Sequence, residues 1–375
     1  MPVKIAVLKE TAAREKRVAL VPAVADKLAK LGCEIHMQTG AGLASKIPDS
    51  SYKNVNFAAN PQGLVSEADI VLAVQPPPAD VVNAMKEGAI LICYVYAHNQ
   101  VALVKQLRDR KITCFAMEQV PRTLSRAQVV DALSSQQALT GYYAALLAAT
   151  HLARIVPMTT TAVGSLRPAR AVVLGLGVIG LQTVATLRRL GAVVEATDTR
   201  QVTKEQAESL GAKFIAHDVD AVGQGGYARP PTPEEQQRLD AAVGKAILTA
   251  DIVVTTAAIP GRASPRQLTK AHVESMKPGA VVIDVGAEGG GNCEYTVPGE
   301  TVEVGQVTVV GPINIPSMLA EHASELYSKN QYALIELMMK DKALAIDWTE
   351  EVQAKMCLTH AGEIKNEAAK KAVEG

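Results

Sequence analysis

The chain has 375 residues, 48% of them hydrophobic, and its 38 Lys plus Arg balance 38 Asp plus Glu, for a formal net charge of zero. That length accommodates two domains with complete cores, and the even charge excludes the basic surface that nucleic acid or an anionic membrane would attract. Five cysteines (Cys33, Cys93, Cys114, Cys293, Cys357), widely spread, odd in number and without CxxC spacing, exclude a disulfide framework or a zinc site and read as reduced, buried thiols.

The N-terminus, MPVKIAVLKE, enters a strand pattern directly with no apolar signal core, so a cytoplasmic location is expected. Val3 to Leu8 forms that strand. Lys9-Glu10-Thr11 follows where a nucleotide-binding unit would carry glycines, and then a polar loop runs from Ala12 to Arg17. Pro22 opens a helix that ends near Leu31-Gly32, and Glu34 to Thr39 is the next strand, in the alternating order that predicts a parallel sheet. Aromatic residues make up only 3% of a chain rich in Ala, Val, Leu and Ile, the balance of parallel sheets covered by helices on both faces.

Between two such regions, Ser125 to Ala153 begins polar and continues as a long Ala/Leu-rich helix that Pro157 ends, a natural hinge with a cleft beside it. Its apolar part, Ala138 to Val156, is interrupted by Thr140, Gly141, Thr150, His151 and Arg154 and is too polar to span a membrane. Pro316 to Met339 reads as a second long helix leading back to the first domain, and the tail from Asp341 to Gly375 is expected to pack there. The expected fold is α/β, two Rossmann-like, doubly wound parallel-sheet domains joined by long helices. The first would comprise residues 1–133 completed by 328–375, the second 134–327.

The strongest local signal is AVVLGLGVIGLQTVATLRRLGAVVEATD, from Ala171 to Asp198. An apolar run to Leu174, the turn Gly175-Leu176-Gly177-Val178-Ile179-Gly180, a helix to Leu190 stopped by Gly191, and a second apolar run form a βαβ unit. Gly175 makes the tight turn, Gly177 admits a diphosphate to the backbone amides, and Gly180 packs helix against strand. Anions are favoured at such a helix start by its unpaired N–H groups and dipole. Asp198 stands at the end of the next strand, where a carboxylate accepts both adenosine ribose hydroxyls and repels a 2′-phosphate, so NAD(H) is expected over NADP(H). The candidate cofactor contacts here are Gly175, Leu176, Gly177, Val178, Gly180, Asp198, Thr199 and Arg200.

An internal echo accompanies this motif. Lys30-Leu31-Gly32-Cys33 matches Arg189-Leu190-Gly191-Ala192, Ala68-Asp69-Ile70-Val71 matches Ala250-Asp251-Ile252-Val253, and Lys86-Glu87-Gly88-Ala89 matches Lys277-Pro278-Gly279-Ala280. Three landmarks in one order indicate two domains of one topology. The spacing widens in the second copy where Gly223 to Pro233 brings glycines, prolines and Tyr227, read as a mobile loop whose Tyr227 closes over a bound cofactor.

A dehydrogenase acting on an alcohol or amine moves a proton with its hydride and needs a poised His, Lys or Tyr. The seven histidines have no carboxylate partner at an obvious spacing. Direct hydride transfer between two nicotinamide rings needs neither acid nor base, only rings held roughly 3 to 3.5 Å apart with water excluded.

Met117-Glu118-Gln119-Val120-Pro121-Arg122, Ser125-Arg126-Ala127-Gln128 and Asp131-Ala132-Leu133-Ser134-Ser135-Gln136 resemble the Arg-Gln-Asp loop of the NAD(H)-binding component (domain I, or alpha-1 subunit) of proton-translocating NAD(P) transhydrogenase. The Gly175 turn, Gly225-Gly226-Tyr227-Ala228, Thr255 to Gly261 and Gly290-Gly291-Asn292-Cys293 extend the resemblance over nearly the whole chain. It implies that Gln128 orients the dihydronicotinamide and touches the incoming ring, that Asp131 and Ser134 bond the carboxamide, and that Arg122 completes the clamp. Gln128, Arg122 and Asp131 are the candidate catalytic set. Ser125 and Ala258 join the cofactor contacts, and no metal is implied.

An Arg and an Asp together fix an amide without titrating near neutral pH. Ser125 and Asp131 also suit a helix N-terminal cap. Two residues, Thr123 and Leu124, separate Arg122 from Ser125 where one is expected, which leaves open whether Arg122 or Arg126 takes the clamp position. Val285-Gly286 replaces the family's usual Leu-Ala pair.

The resemblance further implies a Re/Si-specific transhydrogenase subunit. Its NADP(H) would be bound only on a partner, its membrane-embedded partners would couple transfer to proton translocation, and it would be a homodimer attached peripherally to the inner face of the cytoplasmic membrane. Two alternatives stand beside it. Alanine dehydrogenase is similar around Lys16-Arg17-Val18-Ala19, where its substrate Arg matches Arg17, but its substrate Lys falls on Gln75, its catalytic His on Tyr96 and its acidic partner on Glu288. A catalytically silent NAD-binding regulatory protein would share the glycine turn and Asp198 without needing the loop from Gln128 to Ser134.

Overall fold

The computed structural model describes residues 2–223, 229–258 and 263–374. They form two compact units, one of Met1–Gln136 with Pro316–Gly375, the other of Gln137–Ile315. The chain leaves the first unit within the helix Ala132–His151 and rejoins it at Pro316. The sequence alone puts that return at 328. Ser317 donates to Glu15 at 2.7 Å, while Ser324 and Ser328 accept the Val18 and Val21 N–H groups, so the helix Ala320–Leu337 belongs to the first unit from its start.

The first unit holds an eight-stranded sheet in the order Glu363–Ile364, Cys357–His360, Thr113–Ala116, Ile90–Cys93, Ile70–Leu72, Val3–Val7, Cys33–Gln38, Val55–Ala58. The last six are parallel, and the two from the tail add antiparallel at one edge. Side chains alternate between two cores: Ile5, Val7, Ile35 and Met37 pack with the helices Pro22–Lys30 and Ala320–Leu337, and Ala6, Val71 and Leu91 with Val101–Asp109.

The second unit repeats the plan in seven strands, in the order Lys213–Phe214, Val193–Thr197, Arg170–Leu174, Ile252–Thr255, Val281–Asp284, Val307–Val310, Thr301–Val304, with only the last antiparallel. Both sheets reverse strand order at their first strand, the doubly wound arrangement that puts ligand sites at the strand C-termini. The α/β fold expected from the sequence is the one observed.

The echoed landmarks occupy equivalent places. Asp69 accepts the Lys4 N–H at 2.8 Å and the Lys86 ammonium at 2.5 Å; Asp251 accepts the Arg170 N–H at 2.8 Å and the Lys277 ammonium at 2.6 Å. Each Asp thus ties the first strand of its sheet to the fourth. The matched glycines Gly32 and Gly191 have φ of 91° and 93°, which only glycine adopts without strain. All five cysteines are buried and unpaired, and among the described residues no helix is long and apolar enough to cross a membrane.

One expectation needs correction. His36 does have a carboxylate partner, its Nε2 lying 2.8 Å from Glu34 Oε1. Two residues apart on the strand Cys33–Gln38, they project from one face.

Candidate functional site

In the second unit the strand Arg170–Leu174 ends in a turn and the helix Val178–Arg189 begins. Gly175 has φ 96°, and a Cβ there would lie 2.6 Å from Thr256 Oγ1, the hydroxyl that donates to the Leu174 and Gly175 carbonyls and holds the turn. A Cβ on Gly180 would lie 1.9 Å from the Gly175 carbonyl oxygen, so the helix start rests directly on the turn. At Gly177 a Cβ would meet nothing within 4 Å. Gly177 is the N-cap, no side chain caps the helix, and no acid occupies its first turn. An open face, N–H groups without a side-chain cap and a positive dipole end make a cradle for an anion. Leu176 and Val178 belong to the same turn.

Asp198 follows the strand Val193–Thr197 and is 8% exposed. Its Oδ2 accepts the Leu176 N–H at 2.7 Å and its Oδ1 the Arg200 N–H at 2.9 Å, and the Arg200 guanidinium forks onto both oxygens at 2.8 Å. Burial alone would raise this carboxyl, but the Arg200 and Leu176 donors outweigh it and hold it below the usual carboxylate range. His217, which no sequence signal singles out, fixes the backbone here. Its Nδ1 accepts the Val219 N–H at 3.2 Å, which leaves Nε2 to donate to the Asp198 carbonyl at 3.0 Å.

Beyond the strand Ile252–Thr255, Ala258 lies beside the turn residue Thr256, whose carbonyl accepts its N–H at 2.8 Å. Asp284 accepts Thr255 Oγ1, the Gly286 and Cys293 N–H groups and Thr296 Oγ1, and Asn292 donates to the carbonyls of Ala257 and Pro265. A Cβ at Gly286 would come within 2.5 Å of the Asn292 amide oxygen, so glycine at this position gives that amide its room. Tyr227, Gly225, Gly226 and Ala228 lie outside the described residues, as do Ile259 to Gly261.

In the first unit, Arg122, Asp131 and Ser134 are joined. Arg122 Nε is 3.3 Å from Asp131 Oδ2, Arg122 Nη2 donates to Ser134 Oγ at 3.1 Å, and that hydroxyl donates to Asp131 Oδ2 at 2.6 Å. Of the two arginines left open by the sequence, Arg122 is therefore the one in the cluster. Arg126 is 60% exposed and pairs with Glu350 and Glu351.

The expected Ser125 cap is corrected. Ser125 opens a 3-10 segment, Ser125–Val130, that no side chain caps, and Asp131 caps the following helix by accepting the Ser134 N–H at 2.8 Å. Ser125 and Gln128 are exposed on that segment, outside the bonded group, next to Val129 at 62% exposure.

Residues 6–140 match the family described as alanine dehydrogenase/PNT, N-terminal domain, and residues 144–367 the one described as alanine dehydrogenase/PNT, C-terminal domain. An NAD(P) transhydrogenase subunit alpha chain of Rhodospirillum rubrum is 42% identical over 97% of this chain and 98% of its own length.

The chain belongs to the alanine dehydrogenase/PNT family.

Within that family, the crystal structure of transhydrogenase from Sinorhizobium meliloti superposes with a TM-score of 0.87 at 40% identity, covering 96% of this chain and 99% of that one. Alanine dehydrogenase of Methanococcus maripaludis is more distant, 27% identical over 77% of this chain and 74% of its own length. An L-alanine dehydrogenase structure at 22% identity, with a TM-score of 0.83, shares the fold.

The positions that resemble the alanine dehydrogenase branch are engaged internally. Arg17, 5% exposed, forks onto Glu15 at 2.8 and 2.6 Å and donates to Gln136 at 3.1 Å, and Gln75 donates to Glu15 at 2.9 Å. The Arg17 guanidinium holds the Glu15 carboxyl well below the usual range against the opposing effect of burial. A cavity of about 230 Å³ lined by Glu10, Glu15, Arg17 and Ala41 adjoins them. Tyr96 stacks on Tyr94 at 5.6 Å, and Glu288 accepts the Asn314 N–H. Neither Gln75 nor Tyr96 is a proton acceptor near neutral pH.

Proposed function

We propose that the chain is the NAD(H)-binding component of a proton-translocating, Re/Si-specific NAD(P) transhydrogenase. It would pass hydride between NADH held here and NADP⁺ held on a partner subunit, with membrane-embedded partners coupling the transfer to proton movement. The Gly175 turn, open at Gly177 and followed by the buried Asp198, carries this reading, since its residues fit a dinucleotide's diphosphate and ribose. Likeness to transhydrogenase alpha subunits over nearly the whole chain supports the same conclusion.

The residues divide the work by chemistry. Gly175, Leu176, Gly177, Val178 and Gly180 present backbone to the diphosphate; Asp198, with Thr199 and Arg200, meets the ribose; Ala258 and Tyr227 flank the cofactor. Arg122, Asp131 and Ser134 form a polar group with both donors and acceptors, suited to hold a carboxamide in one orientation, and Ser125 and the exposed Gln128 lie next along the chain. NADH supplies the hydride, so no residue here has to exchange a proton during the step. Homodimerisation and peripheral attachment to the inner face of the cytoplasmic membrane belong to the same proposal.

Mixing the purified chain with an NADP(H)-binding partner, NADPH and an oxidised NAD analogue of distinct absorbance tests it. Reduction of the analogue that requires both proteins is expected. NADH binding without any transfer would favour a silent regulatory protein, and reduction of NAD⁺ by L-alanine with this chain alone would favour the dehydrogenase branch.

A further inference from the structure

Asp198 and Arg200 are each other's main partners, with side chains 7% and 18% exposed. A carboxylate offers about four lone-pair directions. Here four donors take them: the Leu176 N–H and Arg200 Nη2 on Oδ2, the Arg200 N–H and Nε on Oδ1. The guanidinium fork covers both oxygens along the edge that a vicinal ribose diol would chelate. Two bidentate donors cannot share that edge, so a nucleotide must displace the fork. Displacement leaves the site standing, because the two backbone N–H bonds remain and His217 still holds the Asp198 carbonyl.

We propose that Arg200 sets the nucleotide preference of this site: it is an internal stand-in for the ribose diol that competes with NAD(H), and once displaced it lies beside the ribose 2′ position and offsets the repulsion between Asp198 and a 2′-phosphate. The inference rests on the NAD(H) reading of the Gly175 turn. Its consequence is a chain less selective than Asp198 alone would make it, because removing Arg200 frees the carboxylate for a diol and leaves its charge unscreened against a phosphate.

The test is equilibrium titration of wild type, Arg200→Ala, Arg200→Lys and Asp198→Asn with NADH and with NADPH at one ionic strength. For Arg200→Ala the ratio of the NADPH to the NADH dissociation constant is expected to rise about tenfold or more, with NADH bound at least as tightly as by wild type. Arg200→Lys, keeping the charge without the fork, should leave NADPH binding near wild type. Asp198→Asn should bring the two nucleotides closer together. A ratio in Arg200→Ala that is unchanged or lower, with the wild type binding NADH, overturns the role of Arg200 and leaves the cofactor reading intact. Failure of wild type to bind NADH overturns the cofactor reading and this inference with it.

Discussion

Two neighbouring glycines separate folding from cofactor binding. A methyl group on Gly180 would sit 1.9 Å from the Gly175 carbonyl oxygen and 2.8 Å from its carbon. Carbon and oxygen settle no closer than about 3.3 Å, so in Gly180→Ala the helix start must withdraw by more than ~1 Å. Overpacking of this kind costs about 1–3 kcal/mol, read as a lower denaturation midpoint. The withdrawal also carries the helix N–H groups away from the diphosphate. A hydrogen bond to a charged group contributes about 1.5–3 kcal/mol, so losing one weakens NADH binding roughly ten- to a hundredfold.

In Gly177→Ala the added methyl meets nothing within 4 Å, and φ is −77°, ordinary for any residue. Its stability should stay within about 0.5 kcal/mol of wild type. The methyl nevertheless occupies the face offered to the diphosphate, and NADH should bind about tenfold more weakly or worse. Urea denaturation and NADH fluorescence titration on both variants supply the four numbers. Wild-type NADH affinity in Gly177→Ala would show that the open face is not the phosphate face and would refute the reasoning.

Other outcomes follow from single side chains. Gln128→Asn keeps NADH binding near wild type while hydride transfer to the partner's nucleotide falls, measured by titration and coupled assay; unchanged transfer removes the role given to Gln128. Asp251 is held below the usual carboxylate range, burial raising it and the Arg170 N–H, Lys277 and Arg154 lowering it further. Its contribution is therefore present above the unfolded value of about 3.9 and lost as pH falls through the folded value. Asp251→Asn should cost about 1–3 kcal/mol at pH 7 and less at pH 3, by denaturation at both pH values. Trp348 is the only tryptophan, its ring 4.3 Å from His360, whose pKa burial lowers. Trp348 fluorescence should thus titrate with a midpoint below the ordinary histidine value of about 6.5, and His360→Gln should abolish that transition.

Much of the second unit is legible in the sequence because its signals are local. Glycine spacing within one turn, a strand on either side and an acid at the next strand end are all set by near neighbours, and Gly175, Gly180 and Asp198 stand where that spacing puts them. The echoed Asp69 and Asp251 are legible as text but not as chemistry, since their Lys86 and Lys277 partners are fixed only by strand order. The cap falls to Ser125 on sequence grounds because Ser125 and Asp131 are both good capping residues, and only the helix start at Ala132 chooses between them.

Arg122 separates from Arg126 only through the fold, which brings Glu350 and Glu351 to Arg126 and leaves Arg122 with Ser134. The edge strands Cys357–His360 and Glu363–Ile364 are too short to announce themselves, and the hairpin of Thr159–Thr161 and Gly164–Leu166 follows a helix end that carries the stronger signal. His217 and Glu15 act through a backbone carbonyl and a neighbour two residues away, contacts with no periodic trace in the sequence.

The most direct measurement follows the hydride itself. With NADH carrying deuterium at the transferred position, NADP⁺ and the complete complex of this chain with its partners, mass analysis of the product should show the label in NADPH and none in water. Label lost to solvent, or NADPH formed without it, would contradict direct transfer from a nucleotide held by this chain.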